Sequence, residues 1–267
     1  MDKIENQMKL IEAFNSLDGK RFITKHSNYF DIYDEIFEKL KDKTQINVLE
    51  IGLLDGGSIE LWKKYFGGKL NFYGIDINPR CKEFESQGVK IFIGSQSDKV
   101  FLSETVASMP DLDVVIDDGG HTMKQQKNSF SILYPKLNHT GIYICEDTHT
   151  SYRMPYGGGF RRKDSFIEFS KNMIDQLHHE EIKGNKKDEN IANSLHSIKY
   201  FDSVVIFEKK VYQKREVISK GEYSGFNADF ADVKRNNFYY ISHKYTNLLL
   251  SFLGFKGYSY VFGPNKD

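Results

Sequence analysis

Cysteine, proline and tryptophan are scarce in this chain: two, five and one among 267 residues. Two thiols, Cys81 and Cys145, are too few for a disulfide scaffold, and a chain of this length buries enough surface to need none. They point to a reducing compartment, so the expected location is the cytoplasm. No apolar run approaches the roughly 20 residues that a membrane-spanning helix requires. The opening, MDKIENQMKL, is too polar for a secretory signal, and Asn138-His139-Thr140 then has no meaning as a glycosylation acceptor. Net charge is missing too. Lysine plus arginine and aspartate plus glutamate each number 37, which argues against a broad electrostatic footprint for nucleic acid or an anionic membrane. The expected partner is a small molecule.

What is present is an alternation of short apolar runs with helical patterns. INVLEIG, LNFYGIDINP, VKIFIG, LDVVIDD and GIYICED read as five strands, and YFDIYDEIFEKLKDK and SIELWKKYF as helices, the second with Ser58 as its cap. Strands and helices alternating at this spacing predict an α/β fold with a parallel sheet covered on both faces. SIKYFDSVVIFEKK holds two strands too close for a parallel crossover, so they should form an antiparallel hairpin around Asp202-Ser203. GGGFRRKDSFIEFSKNMIDQLHH is a glycine-rich loop and an amphipathic helix, and EEIKGNKKDEN a solvated loop. Three segments are expected: residues 1–45, helical and lid-like; 46–211, the α/β core; and 212–267, an aromatic extension. The tail FYYISHKYTNLLLSFLGF would serve as a subunit interface of a homo-oligomer or as extra cover.

Glycines at 52, 56 and 57 let the chain turn tightly after the first strand and approach a ligand, and the next helix offers free N–H groups there. Asp76 ends the second strand, where an acid can accept both hydroxyls of a ribose. Together they suggest an adenosine ligand; a tight turn and a capping aspartate are the plainer reading. The loop lacks both the spacing of a pyrophosphate turn and the Lys-Ser/Thr ending of a P-loop. Glu50, placed in the turn region, would repel phosphates and favour an ammonium, which suits S-adenosylmethionine better than NAD or ATP.

The fourth strand ends in Asp117-Asp118 and the fifth in Glu146-Asp147, with His121 three residues after Asp118. Strand ends of an open parallel sheet meet near the point where strand order reverses. Carboxylates that close repel one another unless a cation neutralises them, and oxygen ligands favour a hard ion such as Mg²⁺. Helix capping is the alternative reading for each acid taken alone.

VLEIGLLDGGSIELWKKYF, YGIDINP, GSQSD, VVIDDGGHT and CEDTHTSY, in this order, resemble the class I S-adenosylmethionine-dependent methyltransferases of the macrocin and mycinamicin sugar O-methyltransferase group. TKHSNYFDIYDEIF resembles a segment upstream of the core in the same group, and the resemblance covers residues 20–210. It implies a Rossmann-like fold with a seven-stranded, mostly parallel sheet ending in an antiparallel hairpin. It implies that Glu50, Gly52 and Gly56 face the methionine end of the cofactor and Asp76 the ribose. Gln96, Ser97 and Asp98 would face the adenine, with Asp117 also on the cofactor side; a strand-to-helix cap is the ordinary reading of Gln96 to Asp98. Metal ligands fall on Asp118, Glu146 and Asp147, and the base on His121. Lys25, His26 and Tyr29 would close over the cofactor.

The expected activity is thus Mg²⁺-assisted methylation of a sugar hydroxyl, the acceptor being a sugar or activated sugar. His149 and Tyr152 would line the acceptor pocket, and Arg161 with Arg162 would pair with a phosphate on it, unless that loop is simply a solvated basic one. The alternatives are a phosphoryl or other non-sugar acceptor, and a metal-dependent hydroxylase. The second is disfavoured because no two-histidine, one-carboxylate set is evident in the sequence.

Overall fold

Strands β1 (Ile46–Ile51), β2 (Leu70–Asp76), β3 (Lys90–Ile93), β4 (Leu112–Asp117) and β5 (Leu137–Cys145) form where the sequence has its short apolar runs. In the computed structural model, which describes residues 8–181, 188–222 and 237–253, they pair in parallel and a hairpin of β6 (Leu195–Phe201) and β7 (Val204–Lys209) completes the sheet. The order is β3-β2-β1-β4-β5-β7-β6, with β7 antiparallel to both its neighbours. Asp202-Ser203 makes the turn between β6 and β7, as the sequence predicts.

A sheet covered on both faces sends alternate residues of each strand into two different cores. Val48, Val114, Ile116, Ile144 and Ile206 face one; Leu49, Val115, Tyr143, Val205 and Phe207 face the other. Helices α1 (Leu10–Asn15), α2 (Ser27–Phe37) and α3 (Gly57–Phe66) supply the first core. Much of the aromatic content goes there: Trp62, fully buried, packs against Tyr33, Phe37 and Phe66. The second core is supplied by α4 (Lys99–Ala107), α5 (Met123–Leu133), α6 (Phe166–Leu177) and α7 (Glu189–Ala192). Phe130 lies at its centre, against Tyr134, Tyr143, Phe169 and Phe207.

Two local readings need correction. Ser58 does not cap α3. Gly56, left-handed at φ 79°, precedes the helix, and the Ser58 hydroxyl donates to Glu50 Oε2 at 2.7 Å. Glu50 itself is not in the turn but inside β1 and fully buried, because the strand runs on to Ile51.

Register positions the site. Ile51, Asp117 and Cys145 are partners across β1, β4 and β5, so Gly52, Asp118 and Glu146 leave the sheet as one row. Backbone bonds extend that row: Asp118 N–H donates to the Ile51 carbonyl and Glu146 N–H to that of Asp117, both at 3.0 Å. The two-residue period then parts adjacent acids. Asp117 turns toward Tyr143 in the second core, and Asp118 toward the side where α2 lies.

The chain divides into two units, residues 1–214 and 215–267. In the second, α8 (Asn237–Phe252) carries Tyr245, Leu248, Leu249 and Phe252 exposed. Residues 182–187, in the stretch expected to be a solvated loop, lie outside the described residues. Among the described residues no helix is long and apolar enough to cross a membrane.

Candidate active site

A cavity of about 570 Å³ opens at the carboxyl ends of β1, β2 and β4, where strand order reverses. Gly52, Asp76 and Gln96 line one part of it. Asp118, His121, Glu146 and Asp147 line another, and residues 22–26 with Tyr29 complete the wall. The remaining predicted residues are not on this wall. Glu50, Gly56 and Asp117 lie behind it: Gly56 sits close against the Phe84 ring, and Asp117 accepts from Tyr143 Oη at 2.9 Å and from Gln96 Nε2. Asp98 is the exposed cap of α4, accepting from the amides of Val100 and Phe101, and Ser97 precedes it. His149, Tyr152 and Arg161 stand outside the cavity as well.

Asp76 ties two loops together. Its Oδ2 accepts the Leu53 amide and its Oδ1 the Asn78 amide, each at 2.8 Å, which leaves further lone pairs free toward the cavity. Gln96 bridges in the same way, donating to Asp117 and accepting from the Gly120 amide at 3.1 Å. The turn after β4 is thereby fastened to the turn after β3. Gly52 approaches that turn so closely that no side chain fits: a Cβ would overlap the Asp118 carbonyl oxygen and lie 2.9 Å from Gly119 Cα.

The acids form a different cluster from the one expected. Lys25 Nζ lies 2.6 Å from Asp118 Oδ2 and 2.7 and 2.8 Å from the two oxygens of Glu146, with its side chain only 4 % exposed. The Tyr33 hydroxyl also donates to Glu146 Oε1. Asp147 is drawn elsewhere. Its Oδ1 accepts from the Tyr29 hydroxyl at 2.8 Å, and its Oδ2 lies 3.6 Å from His121 Nε2. Possible ligand atoms of Asp118, His121 and Asp147 come within 4.8 Å of one another; in this conformation Glu146 belongs to Lys25. A second group of this kind, His26, Asp147 and His149, supplies the two-histidine, one-carboxylate set that the sequence did not show. His149 Nδ1 meets Ser203 Oγ at 2.5 Å, and His26 is 60 % exposed.

Leu54, His121 and Asp147, at φ 50°, 55° and 53°, hold a left-handed backbone although none is glycine, and all three line the cavity. Strain of this sort persists where surrounding contacts over-determine the backbone. Here the Thr150 hydroxyl clamps the His121 carbonyl at 3.0 Å, and Tyr29 Oη accepts the Asp147 amide at 3.2 Å.

Burial dominates the electrostatics. It pushes Glu50 and Asp117 up to about 7, against the pull of Lys25 and Ser58 on the first and of Tyr143 and Gln96 on the second. Burial and then the Asp118 charge push Glu146 up to about 8, against Lys25 and Tyr33. Burial alone would lower Lys25, but Asp118, Glu146 and Glu50 outweigh it and hold the ammonium protonated well beyond its ordinary range. These buried acids keep their protons in the fold after the unfolded chain, at ordinary values of 3.8 and 4.5, has lost them. The folded chain therefore binds more protons across that window, and stability falls as pH rises through about 7 to 8. His149, lowered by burial, acts in the opposite sense, one group against three. Urea midpoints of the ligand-free protein should drop from pH 5 to pH 8, each pKa unit being worth about 1.4 kcal/mol. A midpoint that held steady or rose would contradict this account.

No family model matches the chain. Among curated proteins it is 34 % identical over 161 residues to the 8-demethyl-8-alpha-L-rhamnosyl tetracenomycin-C 2′-O-methyltransferase of Streptomyces olivaceus, covering 57 % of this chain and 42 % of that protein. It is 32 % identical over 160 residues to the demethylmacrocin O-methyltransferase of Streptomyces fradiae, covering 56 % and 40 %. With the mycinamicin VI 2′′-O-methyltransferase of Micromonospora griseorubida it shares 28 % identity over 189 residues, 66 % of this chain and 47 % of that one. The matched region is thus less than half of each relative's length. Among solved structures, the MycE methyltransferase of the mycinamycin pathway, in complex with Mg, SAH and mycinamycin VI, superimposes with a TM-score of 0.68 at 26 % identity, over 77 % of this chain and 54 % of that one. A second MycE structure, with Mg and SAH, gives 0.67. By sequence and by fold, then, the chain is a relative of the sugar O-methyltransferases of macrolide and tetracenomycin biosynthesis.

Proposed function

We propose that this protein is an S-adenosylmethionine-dependent, Mg²⁺-assisted O-methyltransferase acting on a sugar hydroxyl, in the assembly of a secondary metabolite or polysaccharide. One observation carries the reading: a single cavity at the strand-order reversal joins the Gly52–Asp76–Gln96 wall to the Asp118–His121–Asp147 group. The first suits a nucleoside, and the second suits an acceptor hydroxyl that must lose a proton.

The residues present fit a divalent cation. Asp118 and Asp147 offer carboxylate oxygens in one small volume beside His121, which is kept for the proton. Lys25 is shared by Asp118 and Glu146 and does not reach Asp147, which lies instead beside Tyr29, His26, His121 and His149. Bound there, a Mg²⁺ ion would lower the pKa of a coordinated hydroxyl and fix its direction. The protein's own groups do the rest. Asp76 orients the ribose through lone pairs left free by Leu53 and Asn78, and Gln96 stands at the adenine end. Glu50 acts from behind the wall through Ser58, which does line the cavity. His121 takes the hydroxyl proton as the methyl group leaves the sulfonium, and Asp147 beside Nε2 favours the resulting imidazolium. Lys124 and Lys127, with Asp164, line a second concavity of about 550 Å³, and we read the two lysines as contacts for an activated, anionic sugar.

The metal-dependent hydroxylase reading gains one observation, the grouping of His26, Asp147 and His149. The relatives and the nucleoside wall favour methyl transfer. Thermal shift separates the two. S-adenosylmethionine at about 100 times its Kd should raise Tm by roughly 5 to 10 °C, with NAD and ATP inert and Mg²⁺ adding a further rise. Stabilisation by NAD alone would reject the methyltransferase reading.

A further inference from the structure

Resting on that metal reading, we propose that Lys25 is a built-in cation of the acid row, which alternates with the divalent ion on the same carboxylates. Metal loading then withdraws Lys25 and, with it, its neighbours Thr24 and His26, which form part of the cavity wall.

The geometry makes the two occupants incompatible. The ammonium touches Asp118 Oδ2 and both Glu146 oxygens at 2.6 to 2.8 Å, and Tyr33 takes a further lone pair of Glu146. Glu146 can present an oxygen to another cation only if Lys25 leaves. An ion bound through Asp118 would also lie within a few ångströms of the ammonium, in a site where water screens little of the repulsion. One ammonium spans both carboxyl groups, so a cation drawn to Asp118 and Glu146 competes with Lys25 for the same oxygens.

The lysine also lies outside the regular elements. Residues 22–26 belong to no helix or strand and run directly into α2 at Ser27. The Phe22 amide donates to Asp55 Oδ2 at 2.8 Å and Ile23 packs on the first core, so the segment is anchored at residues 22–23, while Thr24 and His26 on either side of Lys25 are exposed. The part next to Lys25 thus has few buried contacts to break. Metal binding and Lys25 insertion are then linked reciprocally: whatever favours one weakens the other.

Lys25→Met removes the charge and keeps an unbranched apolar stem. Mn²⁺ affinity, read by electron paramagnetic resonance of the free ion, should rise roughly ten- to a hundredfold, in the range ordinary for coupled sites. Lys25→Gln, which still hydrogen-bonds the acids, should rise in the same direction and guards against a folding defect in the first variant. The unaltered protein supplies an independent readout. Acylation of Lys25 Nζ by an amine-reactive ester, followed by peptide mass spectrometry against exposed Lys99, should be slow without metal and accelerate about fivefold or more with saturating Mg²⁺. Weaker or unchanged Mn²⁺ binding in both variants overturns the proposal. So does a Lys25 that stays protected while Mg²⁺ is bound, and that result leaves the metal reading intact. Failure of every form to bind a divalent ion removes both.

Discussion

Replacing His121 with asparagine should lower kcat by about 10²- to 10⁴-fold, the usual contribution of a positioned general base, while S-adenosylmethionine affinity stays essentially unchanged. Asparagine is the informative substitution because residue 121 sits at φ 55°, a conformation that asparagine tolerates and alanine does not favour. The Thr150 clamp on the carbonyl of residue 121 then survives, so the loop stays in place and only the imidazole is lost. Single-turnover rates together with cofactor titration give the two quantities separately. Equal losses in rate and affinity would take His121 out of the proton transfer.

Gly52→Ala should be the most damaging small substitution. The added methyl would collide with the Asp118 carbonyl, and φ 88° adds strain of its own. Left-handed strain of about 1 to 2 kcal/mol and overpacking of about 1 to 3 kcal/mol together predict a loss of about 2 to 5 kcal/mol. That corresponds to a fall in Tm of roughly 4 to 20 °C. Gly88→Ala is the control. Gly88 is equally left-handed, at φ 76°, but a Cβ there would meet open space, so only the backbone strain applies. If the two variants unfold at the same temperature, the close approach of the β1 and β4 turns is not what requires glycine at 52.

Some of this architecture could be read directly from spacing. Apolar runs ended by Gly52, Asp76 and Asp118 mark strands whose tips share one edge, and Asp202-Ser203 leaves room only for a hairpin. Period alone carries such information, because a strand buried on both faces must be apolar throughout. Glu50 shows the limit. An acid in a buried strand violates that pattern, so it reads as part of a turn; in the fold, Ser58 and the charge of Lys25 make its burial tolerable. Ser97 and Asp98 show another limit, since a capping aspartate and a ligand-facing one look alike in sequence.

Lys25 was visible only as part of a resembling segment. Nothing in TKHS says that its ammonium lies 93 residues away on Asp118 and 121 away on Glu146. His26 and His149 were similarly far apart along the chain before α2 and the end of β5 brought both to Asp147. The chain by itself determined the order of strands and helices, the glycine at the β1 turn and the concentration of acids at strand tips, because those follow from local period and sterics. Only the tertiary structure decided which cation meets those acids and which histidines join them, because charge pairing depends on distances across the fold that no local pattern encodes.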